Sequence, residues 1–435
     1  MKNEVFVCDN ISSQGGKLYF AGQNIEELAN KYSTPLYLFD EDRLRQNIRT
    51  YKRALGSSFA DARLLYASKA ASFKQIYRIM AQEQVGIDVV SIGEMYTAKS
   101  AGFDLKNAYF HGNNKTDFDI AYAMDAGIGC FVCDGEEELL RINALAEQRS
   151  ITQNVLLRIT PGIDTHTYEA VNTGKVDSKF GSAIETGQAQ ALTVKALGLK
   201  HISLAGFHCH VGSQVFTEDV FERAAVIMLG FINDIRVKTG YTAPCLDLGG
   251  GYGVRYVKSD PVLDIPQKIE SVAKAVKQCC LALKLAEPQI LLEPGRGIVA
   301  DAGMTVYTVG SVKRIPGYKN YVSVDGGMAD NPRFALYGAK YTVLPVGDTD
   351  SPRELICSVV GRCCESGDII QENVCLPDTV KRDSLIAVCT TGAYNYSMAS
   401  NYNRLARPAA VMLKGGESYI AVRRESLDDL IRNDI

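Results

Sequence analysis

From about residue 40 to 300, short apolar runs of β type alternate with longer segments of helical period. The runs are Leu64–Ala67, Ile87–Val90, Ala108–His111, Cys130–Cys133, Val155–Ile159, Leu204–His208, Cys245–Leu248 and Ile290–Glu293. Helix patterns such as Phe73–Gln84 and Glu136–Gln148 lie between them. Strand–helix alternation implies parallel βαβ units. Eight such strands in one stretch of this length predict a (β/α)8 TIM-type barrel over an open doubly wound sheet. After about residue 303 the pattern turns to β runs punctuated by Gly, Pro and Asp: Met304–Val312, Tyr321–Val324, Leu355–Val360, Ser384–Cys389, Ala410–Leu413 and Tyr419–Val422. These predict an all-β domain with tight turns. Glu4–Cys8 and Gly16–Phe20 read as a β-hairpin of the same domain. The fold class is therefore α/β plus all-β. A barrel over residues 40–300 is inserted into a discontinuous β-sandwich or barrel-like domain formed by 1–39 and 301–435.

The length of 435 residues fits two or three domains, not one core. A hydrophobic fraction of 46% and a charged fraction of 22% are those of a soluble globular protein. The net charge of -3 gives no reason to expect nucleic acid or a membrane surface as partner. The start, MKNEVFVCDN, breaks its apolar run with Glu4 and Asp9, unlike a signal peptide. No apolar run reaches the roughly 18 residues a membrane helix needs. The 12 cysteines sit mostly in strand-like runs, as free thiols of a reducing compartment, and the cytoplasm is the expected location. The one CxxC, Cys130-Phe131-Val132-Cys133, lacks the second ligand pair of a structural zinc site and reads as a strand.

Active sites of such barrels lie at the C-terminal strand ends. Those ends carry Lys69, Asp88, His111 with Asn113, Arg158, His208 through Ser213, Gly249-Gly250-Gly251, and Glu293 with Arg296. Lys69 follows the apolar run Leu64–Ala67, so its amine would emerge, partly desolvated, at the barrel mouth as a nucleophile toward an aldehyde. The glycine triplet follows strand 7, where this fold usually binds phosphate, and Ser213 adds a hydroxyl. Glu293 offers a carboxylate to a pyridine nitrogen; the alternative is an ion pair with Arg296, and the two can coexist. His210 reads as metal ligand, general base or a ring stacked on a flat cofactor. Alternation with His208 along a strand argues against joint metal ligation, and a stacked imidazole fits a planar cofactor better. Amine, phosphate donors and carboxylate are the three handles for pyridoxal phosphate, and no metal is expected. In the β domain, Arg333 suits a substrate carboxylate, and Cys364 beside Glu365 is a candidate acid or a buried thiol.

The chain resembles the fold-type III, alanine-racemase-like decarboxylases that use pyridoxal phosphate. The resemblance runs through Tyr66-Ala-Ser-Lys69, Gly206-Phe-His-Cys-His-Val-Gly-Ser-Gln214, Glu293-Pro-Gly-Arg296, Arg333…Tyr337, Cys364-Glu365-Ser366-Gly367-Asp368, Gly392-Ala-Tyr394 and Ala399-Ser-Asn-Tyr402. It implies that Lys69 forms the Schiff base and His210 stacks on the ring. Ser213, Gly250, Gly251 and Tyr394 would bind phosphate, and Glu293 would pair with the pyridine nitrogen. Asp88, Gly295 and Arg296 would complete the cofactor site. Arg296, Arg333, Tyr337, Glu365 and Tyr394 would contact substrate, and Cys364 would donate a proton from the other subunit of a head-to-tail homodimer. Cys364-Glu365-Ser366 fits the branch that converts meso-2,6-diaminopimelate to L-lysine. Arg362 and Ala410 depart from its usual pattern and leave open a decarboxylase of a related diamino or modified amino acid. A racemase would normally set an arginine against the ring nitrogen, where this chain has Glu293. A non-catalytic regulatory homologue would have lost Lys69 or Cys364.

Overall fold

The computed structural model describes residues 6–163, 178–217 and 219–435. Eight parallel strands close a barrel. They are β1 (Ala62–Ala67), β2 (Gly86–Val89), β3 (Ala108–Phe110), β4 (Cys130–Cys133), β5 (Gln153–Thr160), β6 (Ile202–His208), β7 (Cys245–Asp247) and β8 (Gln289–Leu292). Each pairs with the next in sequence, and β8 pairs back onto β1 through Leu292 and Leu64, so the ring has no open edge. The apolar runs in the sequence locate all eight strands to within two residues at either end. The helix expected over Phe73–Gln84 spans Lys74–Gln82, and the one over Glu136–Gln148 is observed with those ends.

Leu65, Cys130, Val132, Leu156, Cys245 and Leu291 form one buried cluster. They come from five strands around the ring, so they fill its interior. Cys130 and Val132 are two apart on β4 and share a face. A filled interior leaves the strand ends as the place for chemistry. Near one of those ends, the β5–β6 register shifts between Leu204 and Gly206. Such a bulge re-aims the side chains that follow it, among them His208. Gly206 has φ +141°, and a Cβ there would fall 2.0 Å from the Cys245 carbonyl oxygen, so only glycine fits the bulge.

The β-rich unit is built on the long strand Gly303–Ile315, which pairs antiparallel with Leu36–Asp40, Lys319–Val324 and Leu385–Cys389. Leu36–Asp40 pairs in turn with Ala409–Lys414, a parallel contact between opposite ends of the chain. The core of this unit includes Leu18, Phe20, Ile25, Leu36, Leu38, Met304, Val306, Ala387, Val411 and Leu413. By compactness the chain divides into 1–47, 254–262 and 298–435 on one side and 48–253 and 263–297 on the other. The N-terminal hairpin pairs Ile11–Gln14 with Lys17–Phe20. The first arm expected at Glu4–Cys8 is therefore displaced: Glu4 and Val5 lie outside the described residues, and Phe6–Cys8 are not a strand. Leu36–Asp40, Val343–Pro345 and Ile369–Leu376 are strands that the sequence reading did not name.

Candidate active site

Three barrel strands deliver a buried histidine–carboxylate–histidine cluster. His208 ends β6, His111 follows β3 and Glu293 follows β8. Backbone bonds fix the two that lie past their strands: His111 N–H donates to Val89 O at 2.8 Å, and Glu293 N–H to Gly249 O at 2.8 Å. His111 Nε2 lies 2.7 Å from Glu293 Oε1, and His208 Nε2 lies 3.1 Å from Oε2. The two rings meet edge to face, with centroids 4.9 Å apart. Burial by itself would raise the Glu293 pKa, but His111 and His208 reverse this and hold it well below the usual carboxylate range. Burial, followed by the neighbouring positive groups, pushes His208 down to about 4 in spite of Glu293. Two more acids stand close. Asp88 Oδ1 is 3.8 Å from His111 Nε2, and burial raises its carboxyl. Asp247 is raised well above the usual range by burial and then by the charge of Glu293.

Glu293 thus faces two histidines. Arg296 Nη2 donates to Ser213 Oγ at 2.9 Å. The histidine that joins His208 is His111; His210 turns to the glycine loop and accepts from Gly250 N–H at Nδ1, at 3.3 Å. Burial and then the Lys69 charge hold His210 well below its ordinary value, which leaves it a neutral ring. Lys69 sits in a single 3-10 turn, Ser68–Ala70, directly after β1. It is exposed, not partly desolvated as its apolar neighbours suggested, because those neighbours are strand residues buried beneath it. Loops 6, 7 and 8 pack backbone to backbone. A Cβ on Gly250 would lie 2.3 Å from Glu293 O, and one on Gly251 would lie 2.2 Å from Gly212 O. Gly295 is enclosed by Ala67 and Ala70, with all three nearest atoms at 3.0 Å.

In the β-rich unit, Arg333 opens the short helix Arg333–Tyr337 and is 8% exposed. Its Nη1 donates to Tyr341 Oη at 2.9 Å and to Tyr256 Oη at 3.3 Å. The rings of Tyr256, Tyr341 and Tyr394 surround the guanidinium, with centroids 5.4 to 5.9 Å from Cζ. Among the described residues no carboxylate pairs with it. Tyr394 is held at φ +63°, a region that costs a bulky side chain energy and that clusters at functional sites. Tyr337 is half-buried on the same short helix.

Cys364 and Glu365 are exposed on a loop apart from Arg333. The loop is nonetheless ordered. Asp368 is buried and accepts from Met328 N–H at 2.6 Å and Cys363 N–H at 2.7 Å. Cys364 N–H donates to Asn403 Oδ1 at 2.8 Å. Tyr256, Tyr341, Asn403 and the pairing of His111 with His208 were not singled out from the sequence. Of these, the two histidines, at strand ends, carry a signal in the sequence; Tyr256, Tyr341 and Asn403 carry none.

The barrel residues fit pyridoxal phosphate. An exposed amine, a neutral imidazole, a guanidinium beside a hydroxyl, and a buried anionic carboxylate all stand at strand ends. The buried Asp88 Oδ1 has no hydrogen-bond donor among the described residues. The ligand atoms of His111, His208 and Glu293 lie within 4.8 Å of one another, a spacing a metal ion could also use. No helix among the described residues is long and apolar enough to cross a membrane.

Residues 41–300 match the family model of the pyridoxal-dependent decarboxylases, pyridoxal binding domain. The chain is 41% identical over 423 residues to diaminopimelate decarboxylase of Bacillus subtilis, covering 97% of this chain and 96% of that one. It is likewise 41% identical over 422 residues to the Staphylococcus aureus enzyme, covering 97% and 98%. The crystal structure of diaminopimelate decarboxylase from M. jannaschii in complex with L-lysine superposes with a TM-score of 0.91 at 31% identity, over 99% of both chains.

Proposed function

The chain belongs to the diaminopimelate decarboxylase family of pyridoxal-dependent decarboxylases, and on that premise we propose that it releases carbon dioxide from meso-2,6-diaminopimelate and leaves L-lysine, the last step of lysine biosynthesis. The buried Arg333 guanidinium carries the choice of substrate. Its Nη1 is committed to two tyrosine hydroxyls. That leaves the Nε–Nη2 edge, the fork that grips a carboxylate bidentately. A cation so placed recognises the second carboxylate of a diamino diacid, and stays buried and uncompensated when a substrate lacks one.

Pyridoxal phosphate supplies the electron sink for the charge left on carbon when carbon dioxide departs. Lys69 provides the amine that attaches it. His210 presents a neutral ring face to a flat partner. Ser213, Gly250, Gly251 and Tyr394 bind the phosphate, and Asp88, Gly295 and Arg296 complete the site. Glu293, as an anion, holds a proton at the ring nitrogen. Arg296, Arg333, Tyr337, Glu365 and Tyr394 orient the substrate. The Cys364 thiol returns a proton to carbon, acting in the site of a second copy; its exposure on its own chain and the fixed geometry of its loop support that role. The assembly is a head-to-tail homodimer with two shared sites, at work in the cytoplasm. In it the barrel of residues 40–300 binds the cofactor, and the β domain of 1–39 and 301–435 carries substrate and interface groups.

Turnover of meso-diaminopimelate, L-lysine and L-ornithine by the same pyridoxal phosphate-loaded preparation tests this reading. Turnover of the diacid far above that of either monocarboxylate is expected. Preference for either monocarboxylate would overturn it.

A further inference from the structure

We infer that His111 and His208 are positioning residues for the cofactor, acting together as a clamp on Glu293 that fixes the direction of its carboxylate. The inference rests on the cofactor role of Glu293. It adds two residues that face that carboxylate, not the phosphate or the substrate.

The clamp is built from three different strands, so it forms only when the barrel closes. Glu293, His111 and His208 are all buried. The two Nε2 atoms approach opposite oxygens of one carboxylate, at 2.7 and 3.1 Å. The two rings pack edge to face at 4.9 Å, each against the other. A carboxylate has about four acceptor positions. Of the two approaches the His208 one is a hydrogen bond, while His111 Nε2 stands against an Oε1 that accepts no hydrogen bond among the described residues. The carboxylate therefore keeps capacity for a further donor, the protonated ring nitrogen. The surroundings make the clamp necessary. Asp88 and Asp247 are buried beside the same site. Three carboxyls close together out of water cannot all ionise. A neutral Glu293 would offer no charge to keep a proton on a pyridine nitrogen. The two imidazoles select Glu293 as the member that ionises, and Asp247 carries the opposite shift, well above the usual range.

Each histidine can be tested by pairing a substitution that keeps a side-chain N–H with one that removes it. Glutamine places an amide N–H at a reach similar to Nε2, whereas leucine has no donor. His111→Leu, His208→Leu, His111→Gln and His208→Gln would be prepared as holoenzymes carrying pyridoxal phosphate labelled with nitrogen-15 in the ring. The nitrogen chemical shift reports ring protonation directly and does not depend on turnover. In the wild type it is expected in the protonated range. In each leucine variant it moves toward the unprotonated range, and cofactor affinity falls on the order of ten- to a hundredfold, as for loss of a charged hydrogen bond. The glutamine variants recover most of both effects. Unchanged nitrogen shift and cofactor affinity in both leucine variants would overturn the clamp. If the leucine variants do not fold, labelled histidine in the wild-type protein decides. The clamp requires a proton on His208 Nε2, and an unprotonated Nε2 overturns it. A stoichiometric divalent ion in the purified holoenzyme, bound through these three residues, would also overturn it. An unprotonated ring nitrogen in the wild type would instead refute the role given to Glu293, which separates failure of that reading from failure of the clamp.

Discussion

Replacing Arg333 with methionine should separate substrate recognition from stability, moving the two in different directions. The side chain is 8% exposed, and among the described residues it has no acidic partner. Two tyrosine hydroxyls take Nη1, and the other edge of the fork faces substrate in our reading. A hydrogen bond to a charged group contributes about 1.5–3 kcal/mol. Two such bonds to a distal carboxylate contribute about 3–6 kcal/mol, or roughly 10²–10⁴ in kcat/KM at tenfold per ~1.4 kcal/mol. Because the distal group does not react, the loss belongs mainly in KM. The fold loses a buried cation and keeps its volume. Exchanging buried charge for well-packed apolar atoms is commonly neutral or stabilising by about 1–4 kcal/mol. Steady-state kinetics on meso-diaminopimelate and on a monocarboxylate analogue, with a thermal melt of each protein, measures both sides. The variant is expected to fail on the diacid, lose little on the monocarboxylate, and melt at or above the wild-type temperature. An equal loss on both substrates would remove Arg333 from distal recognition, and a large fall in melting temperature would show that the tyrosine cage depends on the cation.

Lys69→Ala should abolish the visible absorbance of covalently held cofactor, and survival of that absorbance would place the attachment elsewhere. Lys69→Ala and Cys364→Ala should each be nearly inactive, yet mixed dimers of the two should regain activity; verified mixed dimers that stay inactive would rule out a shared site. Asp368→Ala removes an acceptor from two backbone N–H groups and should destabilise the protein by about 3 kcal/mol while lowering activity through the Cys364 loop; an unchanged melt would show the loop to be held by other contacts. His208 is depressed from 6.5 to about 4 on folding. Between those values the unfolded chain binds the extra proton at this position, so the contribution of His208 to stability falls as pH drops from about 6.5 to about 4, by on the order of 3 kcal/mol. The depressed Glu293 adds a further loss below the ordinary carboxylate range, in the same direction. His208→Gln should flatten the limb between 6.5 and 4 in apoenzyme melts, and an unaltered slope would contradict the assignment.

The barrel was legible because its strands are apolar runs flanked by amphipathic segments, and that signal depends on no distant contact. Ile369–Leu376 escaped notice because Gln371, Glu372 and Asn373 break its apolar run, and Val343–Pro345 because it is short and ends in proline. The strand-end residues could be gathered from the sequence, but their pairings could not. Whether Glu293 meets Arg296 three residues on, or His111 and His208 from other strands, is decided by ring closure, which local spacing does not encode. Lys69 shows the same limit in reverse: its apolar neighbours describe the strand beneath it, not the exposure of its amine. For Cys364 the sequence allows a buried thiol or an acid alike, and the loop bonds of Asp368 and Asn403 hold it outside.

The most direct test is the amount of carbon dioxide released from meso-2,6-diaminopimelate by the purified, pyridoxal phosphate-loaded protein, with L-lysine measured alongside. We expect the two in equal amounts, and none of either from Lys69→Ala. Intact cofactor absorbance with no carbon dioxide would contradict the proposed substrate and direct the search to other amino acids on the same site.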